Sequence, residues 1–303
     1  MTSAAIPART RAAARRRRAV SLPRVALHAF LAFTALLWLA PVGWAVFTSF
    51  RPYSDTAEHG YVSIPHALSL VNYKNAWTQG QIPLHFWNSM IVTIPAIVLI
   101  LLFASSVAFV VSRFSFWFNV PMLIFFMAAN LLPQQVIITT LYELYLRVNL
   151  PGWMTGGNGL LYDSFLGLIA INVAFQTGFC TFVLANYMKT IPSSLGEAAR
   201  VDGAGVVRQF FGIILPLCKP ALAALAALEF TWIYNDFLWA VVLMSSGDKR
   251  PITSSLTNLQ GTFFTDNNLI SAASVLVALP TVLVFLALQR QFINGLTLGA
   301  NKG

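Results

Sequence analysis

Ser193-Ser194-Leu195-Gly196-Glu197-Ala198-Ala199-Arg200-Val201-Asp202-Gly203-Ala204, with Ile213-Ile214-Leu215-Pro216 separated from Gly203 by nine residues, is a relatively polar stretch between two strongly hydrophobic blocks. Ser193 or Ser194 can cap a helix, and Glu197 follows Ser194 at capping-box spacing. Glu197, Ala198, Ala199 and Val201 then lie on a short helix with a small, smooth face. Gly203 breaks it, because glycine tolerates backbone conformations that other residues avoid. A second short helix is expected over about 206–214, and Pro216 and Pro220 end the stretch and lead into the next block. The expected product is a compact helix-turn-helix over 193–219, whose alanines let another backbone approach closely.

The surroundings of this stretch are those of a membrane protein. Hydrophobic residues make up 57% of the 303, and charged residues 10%, against about 25% charged in a soluble globular domain. The runs Val25 to Phe50, Phe86 to Val111, Trp117 to Leu141 and Leu269 to Gln289 contain no Asp, Glu, Lys or Arg. Each reaches the roughly 20 residues needed to cross a hydrocarbon core. With Phe165 to Tyr187 and Ala221 to Ser245 they make six expected spans, at about 25–50, 86–111, 117–141, 165–187, 221–245 and 269–289. Spanning backbone must satisfy its own hydrogen bonds, so the fold class is an all-α integral membrane protein. No short alternating segments of a transmembrane barrel occur.

The net charge of +9 is distributed as a topology signal rather than as a nucleic-acid patch. With the N-terminus inside, fourteen of the 19 Lys and Arg fall on inside segments and five outside. That places both termini in the cytoplasm and makes Arg15 to Arg18 an orientation signal beside anionic lipid. The expected organisation is a basic cytoplasmic tail over 1–24, a six-helix domain over 25–293 and a cytoplasmic tail over 294–303. The apolar run after Arg24 is too long for a signal-peptide core of about 7–15 residues. Cys180 and Cys218 are not placed for a disulfide, no Cys/His spacing indicates a metal site, and His28, His59, His66 and His85 are scattered. GxxxxGK(S/T) is absent, which argues against nucleotide hydrolysis by this chain.

Polar residues inside the spans are candidates for a path. Span three carries Asn130, Gln134 and Gln135 around Pro133, which is expected to kink it. Span four carries Asn172 and Gln176 one turn apart. In span five, Glu229, Trp232, Asp236 and Trp239 recur at i, i+3, i+7 and i+10 and are expected to share one helix face beside Asn235. Carboxylates accept hydrogen bonds from sugar hydroxyls and indoles stack on pyranose faces; equally, these groups can bond neighbouring helices. Pro280 is expected to kink span six, and Phe263 and Phe264 suit packing or outer-loop contacts. An intramembrane enzyme is disfavoured: Glu229 and Asp236 are about 10 Å apart on a helix, with no His nearby.

The stretch over 193–219 resembles the EAA loop of binding-protein-dependent ABC importer permeases. Asp202-Gly203-Ala204 and Leu215-Pro216-Leu217 resemble its carbohydrate branch, of maltose/glycerol-phosphate type. Thr231 to Trp239, Leu132-Pro133-Gln134 with Tyr142, and the tail Gln289 to Gly303 resemble the same branch, the tail being of second-permease type. The likeness runs over about 25–303, with the segment around Trp153 to Gly159 longer than that branch's pattern. It implies the type I importer permease fold and docking of Glu197, Ala198, Ala199, Asp202, Gly203, Ile213, Leu215 and Pro216 on a cytoplasmic ATPase. It also implies tail contact with the ATPase through Gly295, Thr297 and Gly299. The partners implied are a homologous second permease, two ATPase copies that hold ATP and Mg, and an extracytoplasmic solute-binding protein, with no cofactor or metal on this chain and no nucleic acid. The cargo implied is a sugar; a polyamine, phosphate or amino acid is the alternative.

Overall fold

The computed structural model describes residues 22–131, 133–157, 159–261 and 265–297, with side chains over 23–289. Phe263, Phe264, Gly299 and the Arg15 to Arg18 run lie outside the described residues. Every regular element described is helical, and the one extended pairing is an isolated antiparallel bridge between Asn149 and Leu160.

Residues 1–45 and 46–303 form two units. The first holds most of α1 (Leu22–Ser49). Phe30, Phe33 and Trp38 of this helix are exposed, as suits a helix whose surroundings are lipid. The second unit runs α2 (Tyr53–His59), α3 (Val71–Gln79), α4 (Ile82–Arg113), α5 (Asn119–Leu131), α6 (Ile138–Arg147), α7 (Gly152–Thr155), α8 (Phe165–Lys189), α9 (Ser193–Val201), α10 (Val206–Gln209), α11 (Leu215–Leu217), α12 (Lys219–Tyr234), α13 (Leu238–Leu243), α14 (Ile252–Ser255) and α15 (Asn267–Thr297).

The central pair is α4 and α8. Ala96, Ile100, Ala104 and Ala108 of α4 and Cys180, Leu184, Ala185 and Met188 of α8 are buried without residual exposure in one cluster. Small residues at such a crossing let two backbones come close, which is how helices gain dispersion contacts where lipid removes the hydrophobic drive. The opposite flank of α4, with Ile94, Val98 and Leu102, is exposed. A second cluster joins Ala76 of α3, Tyr234 of α12, Ile252 of α14 and Ala273 and Val277 of α15.

Four helices are long and apolar enough to cross a bilayer, and two bent pairs bring the candidate spans to six. Two breaks in the helical runs, one of them the first of these bends, correct two expectations. Span three is not one kinked helix: α5 stops at Leu131, and the segment from Gln134 to Arg147 leaves it at 87°. Proline cannot donate the amide bond that would carry the helix onward and clashes with the preceding turn; Pro133 instead precedes a 3-10 turn over Gln134–Ile137. Thirteen residues of α5 make only about 20 Å of helix, short of the ~30 Å hydrocarbon core. Span five likewise ends at Tyr234, is interrupted by Asn235-Asp236-Phe237, and resumes as α13. Asn235 Nδ2 turns back to the Thr231 carbonyl at 2.8 Å, while Asp236 Oδ1 accepts the Trp239 amide at 3.2 Å and so starts the next helix. Glu229, Trp232, Asp236 and Trp239 therefore do not form one continuous helix face. Pro280 lies inside α15, which continues through it.

Candidate functional site

Two features stand at different depths of the bundle. The first is a knuckle beyond the Arg113 and Lys189 ends of α4 and α8. Its first helix, α9, begins at Ser193 after Pro192 with no side-chain cap, so the capping box expected from Ser194 and Glu197 is not formed. Pro192 sets the chain direction there by its fixed φ. The helix ends as expected at Gly203, whose φ is +80°. The Ala204 amide bonds to the Ala199 carbonyl at 2.8 Å and the Gly203 amide to the Arg200 carbonyl at 3.0 Å, the paired closure of a left-handed helix end. The second helix runs further than 206–214: α10 passes through a π-helical turn over Phe210–Ile214 into α11. It then meets α12 at 73°. Pro216 thus sits within the helical run, and Pro220 in the first turn of α12, where a missing amide hydrogen leaves no bond unmade.

Glu197, Ala198, Asp202, Gly203 and Pro216 are exposed; Ala199 is buried, and Ile213 and Leu215 are packed against the core. The knuckle therefore has an outer face and a root. Its outer face also carries Val201, Val207 and Phe211, which are 88%, 70% and 54% exposed. Val201 was expected on the smooth face of the first helix, while Val207 and Phe211 were not singled out, although apolar residues on a polar loop are the signal of a contact surface. Two further residues hold the root. Gln209 Nε2 donates to the Ala204 carbonyl at 2.7 Å. Arg113 donates through Nη1 to Ile191 O and Nη2 to Met188 O, both at 3.1 Å, placing its charge where the carbonyls of α8 end. A cavity of about 190 Å³ between Arg113, Phe109, Glu197, Arg200 and Gln209 separates α9 from the end of α4.

The second feature is a pocket of about 510 Å³ at the breaks of spans three and five. Seven residues singled out from sequence line it: Asn130, Gln134, Asn172, Gln176, Trp232, Asp236 and Trp239. Met127, Leu131, Phe175 and Phe179 complete it. Asp236 Oδ2 accepts from Asn172 Nδ2 at 3.4 Å. Phe175 packs on Trp239 and Phe179 on Trp232, with ring centroids 5.7 and 5.3 Å apart. Amides, a carboxylate and indole faces together offer donors, acceptors and stacking surface to a polyhydroxylated solute. Two candidates lie elsewhere. Glu229 is fully buried and accepts from Cys180 Sγ at 3.1 Å, its other oxygen bonded to nothing. Asn235 Nδ2 bonds Thr231 and Thr281. Gly295 and Thr297 lie on the last turns of α15.

A polar clamp at the far end of α13 holds the Trp239 wall in place. Asp163 accepts from the amides of Ser245 and Ser246, both at 2.9 Å, and from the Ser246 hydroxyl, while Lys249 Nζ stands 3.6 Å away. Its own amide bonds the Leu243 carbonyl at 2.9 Å. Burial pushes the Asp163 carboxyl up, but the Ser246 and Ser245 hydrogen bonds and the Lys249 charge outweigh it and leave the group below the ordinary carboxylate value.

The family description "Binding-protein-dependent transport system inner membrane component" matches residues 63–297. The chain belongs to this family. It is an inner-membrane transporter subunit, and the match takes in both knuckle and pocket. The "Probable ABC transporter permease protein PH1036" of Pyrococcus horikoshii is 32% identical, over 86% of this chain and 91% of that one. The "Diacetylchitobiose uptake system permease protein NgcG" of Streptomyces coelicolor is 30% identical, over 90% and 87%. A solved bacterial ABC transporter involved in import of the acidic polysaccharide alginate shares the fold. Its TM-score is 0.73 at 20% identity, covering 91% of this chain and 98% of that one.

Proposed function

We propose that this chain forms half of the translocation path of an ATP-driven importer and passes a di- or oligosaccharide. The pocket at the two broken spans carries this reading, because it gathers amides, Asp236 and two indoles in a chain whose relatives include permeases named for diacetylchitobiose and for melibiose, raffinose and stachyose. A homologous second permease supplies the other half. Two copies of a cytoplasmic ATPase hold ATP and Mg and grip the knuckle through Glu197, Ala198, Asp202 and Gly203. An extracytoplasmic binding protein delivers the sugar. Closure of the ATPases on ATP favours one of two arrangements of the spans, so coupling is a biased equilibrium rather than a push on a rigid rod.

The test is reconstitution of the chain with its partner permease, ATPase and binding protein into liposomes. ATP-dependent accumulation of a labelled oligosaccharide, weakened by Trp232→Ala, is expected. Accumulation of an amino acid, phosphate or polyamine instead would reassign the cargo, and accumulation without ATP would overturn the reading.

A further inference from the structure

At the end of α4 away from the knuckle, the segment between α1 and α3 folds into a buried polar knot. Asn72 Nδ2 donates to the carbonyls of Ser49 and Arg51, and Asn268 Nδ2 to Arg51 O and Thr56 Oγ1. Arg51, 1% exposed, pairs with Asp55 Oδ2 at 2.7 Å from Nη2 and 2.9 Å from Nε. Its remaining donors hold Tyr61 O, Ser63 O and Ser63 Oγ. The chain reverses at Gly60, φ +83°, and returns with the His66 amide bonded to Asp55 Oδ1 at 3.1 Å. This framework presents one carboxylate oxygen to two imidazoles. His59, one turn after Asp55 on α2, has Nδ1 3.4 Å from Asp55 Oδ1, and His66 has Nδ1 3.6 Å from the same oxygen. The two rings stack at 3.9 Å, and a ligand atom from each of the three residues lies within 4.8 Å of the others.

We propose that Asp55, His59 and His66 form a site for a divalent transition metal, zinc being the best fit, on the face opposite the knuckle. Bonds of about 2.0–2.1 Å at tetrahedral angles set ligand atoms about 3.3 Å apart, close to the 3.4 and 3.6 Å separations found. Imidazole nitrogen with one carboxylate oxygen suits zinc, copper or nickel rather than magnesium or calcium. Arg51 fixes Oδ2 and leaves Oδ1 for the ion, as an outer partner of a ligating carboxylate does. Its charge does not exclude a cation, since three neutral imidazoles hold zinc in carbonic anhydrase. Nδ1 of His59 also lies 3.2 Å from the Asp55 carbonyl, and metal binding displaces the proton that bridges them. Three protein ligands leave a fourth position open to water or to a donor from a docked partner. The stacked rings, 24° from parallel, cannot both aim an in-plane Nδ1 lone pair at one ion, so binding turns the His66 ring out of the stack; the two side chains are 37% and 63% exposed, and this needs no opening of the fold. Two histidines in this segment carry no metal spacing by themselves. The site arises because Gly60 folds His66 back over His59.

The test uses the full chain in detergent, purified through a tag without histidine and stripped with chelator. Titration with zinc, and with cobalt(II) for its visible ligand-field absorption, reads stoichiometry and geometry. The expected result is one ion per chain with tetrahedral cobalt absorption. His59→Ala and His66→Ala each weaken binding at least about tenfold, the lower bound for losing even an outer-shell partner, and His28→Ala leaves it unchanged. Size-exclusion profiles matching the unmodified chain show that the variants are folded. No stoichiometric binding, or binding that survives both substitutions, would overturn the proposal.

Discussion

Gly203 offers a graded test of the knuckle. Its φ of +80° places it in the left-handed region, and a Cβ built there meets no atom within 4 Å. Any effect of Gly203→Ala is thus backbone strain and not a clash. A residue with a Cβ in this conformation costs roughly 1–2 kcal/mol, which lowers the population of the closed turn roughly 5- to 30-fold against alternatives. Gly203→Asn is milder, because asparagine is the other residue found at this helix-end position. Gly203→Pro is more severe: it forces φ to about −65° and removes the 3.0 Å bond from the Gly203 amide to Arg200. The ordering Gly, Asn, Ala, Pro should appear in ATPase co-purification and in ATP-dependent uptake by membrane vesicles, with unchanged insertion and thermal stability of the spans. Alanine transporting as well as glycine, or asparagine failing as badly as alanine, would refute the reasoning.

Other perturbations separate pocket, bundle and clamp. Asp236→Ala takes the carboxylate out of the pocket; at ~0.5–1.5 kcal/mol for one hydrogen bond to a sugar hydroxyl, KM for uptake should rise about 2- to 12-fold while ATPase attachment is unchanged. Cys180→Ala leaves neither oxygen of Glu229 bonded and should destabilise the bundle by about 1–3 kcal/mol, whereas Glu229→Met, of similar shape and without the polar group, should be nearly neutral; thermal denaturation in detergent compares them. Because the folded-state value of Asp163 lies below the ordinary 3.8, its stabilisation is complete above that value and disappears as pH falls through the lower one. Asp163→Asn should therefore reduce stability at pH 7 and shrink its loss on acidification, read as unfolding temperature against pH.

The long spans were legible because α4, α8 and α15 are mostly apolar and nearly free of charge over more than a membrane thickness, and no tertiary contact is needed to infer them. The knuckle was legible because glycine at a left-handed helix end is a local requirement. The breaks were harder. Pro133 signalled an interruption but not its 87° angle, which depends on where the Gln134–Arg147 segment finds packing. At 235–237 helical periodicity continues across a point where the helix stops, so Trp232, Asp236 and Trp239 were placed on one face. They do meet in one pocket, although through a break and a restart. Glu229 fitted the same periodicity and yet faces Cys180, which no spacing could reveal. Arg113 and Gln209 were missed because their roles rest on carbonyls far along the chain or left open by the turn itself. Val207 and Phe211 could have been found by asking why a loop outside the membrane exposes them.

The central claim is that the outer face of this knuckle is held by a separate ATPase. Cys180 and Cys218 are buried, so a cysteine introduced by Ala198→Cys can be addressed selectively with a crosslinker in the assembled complex. The account predicts a crosslink from position 198 to the ATPase, changing in yield with ATP, and none from the buried position of Ala199→Cys. Reaction of position 198 with lipid or solvent alone, in a complex that still hydrolyses ATP, would contradict it.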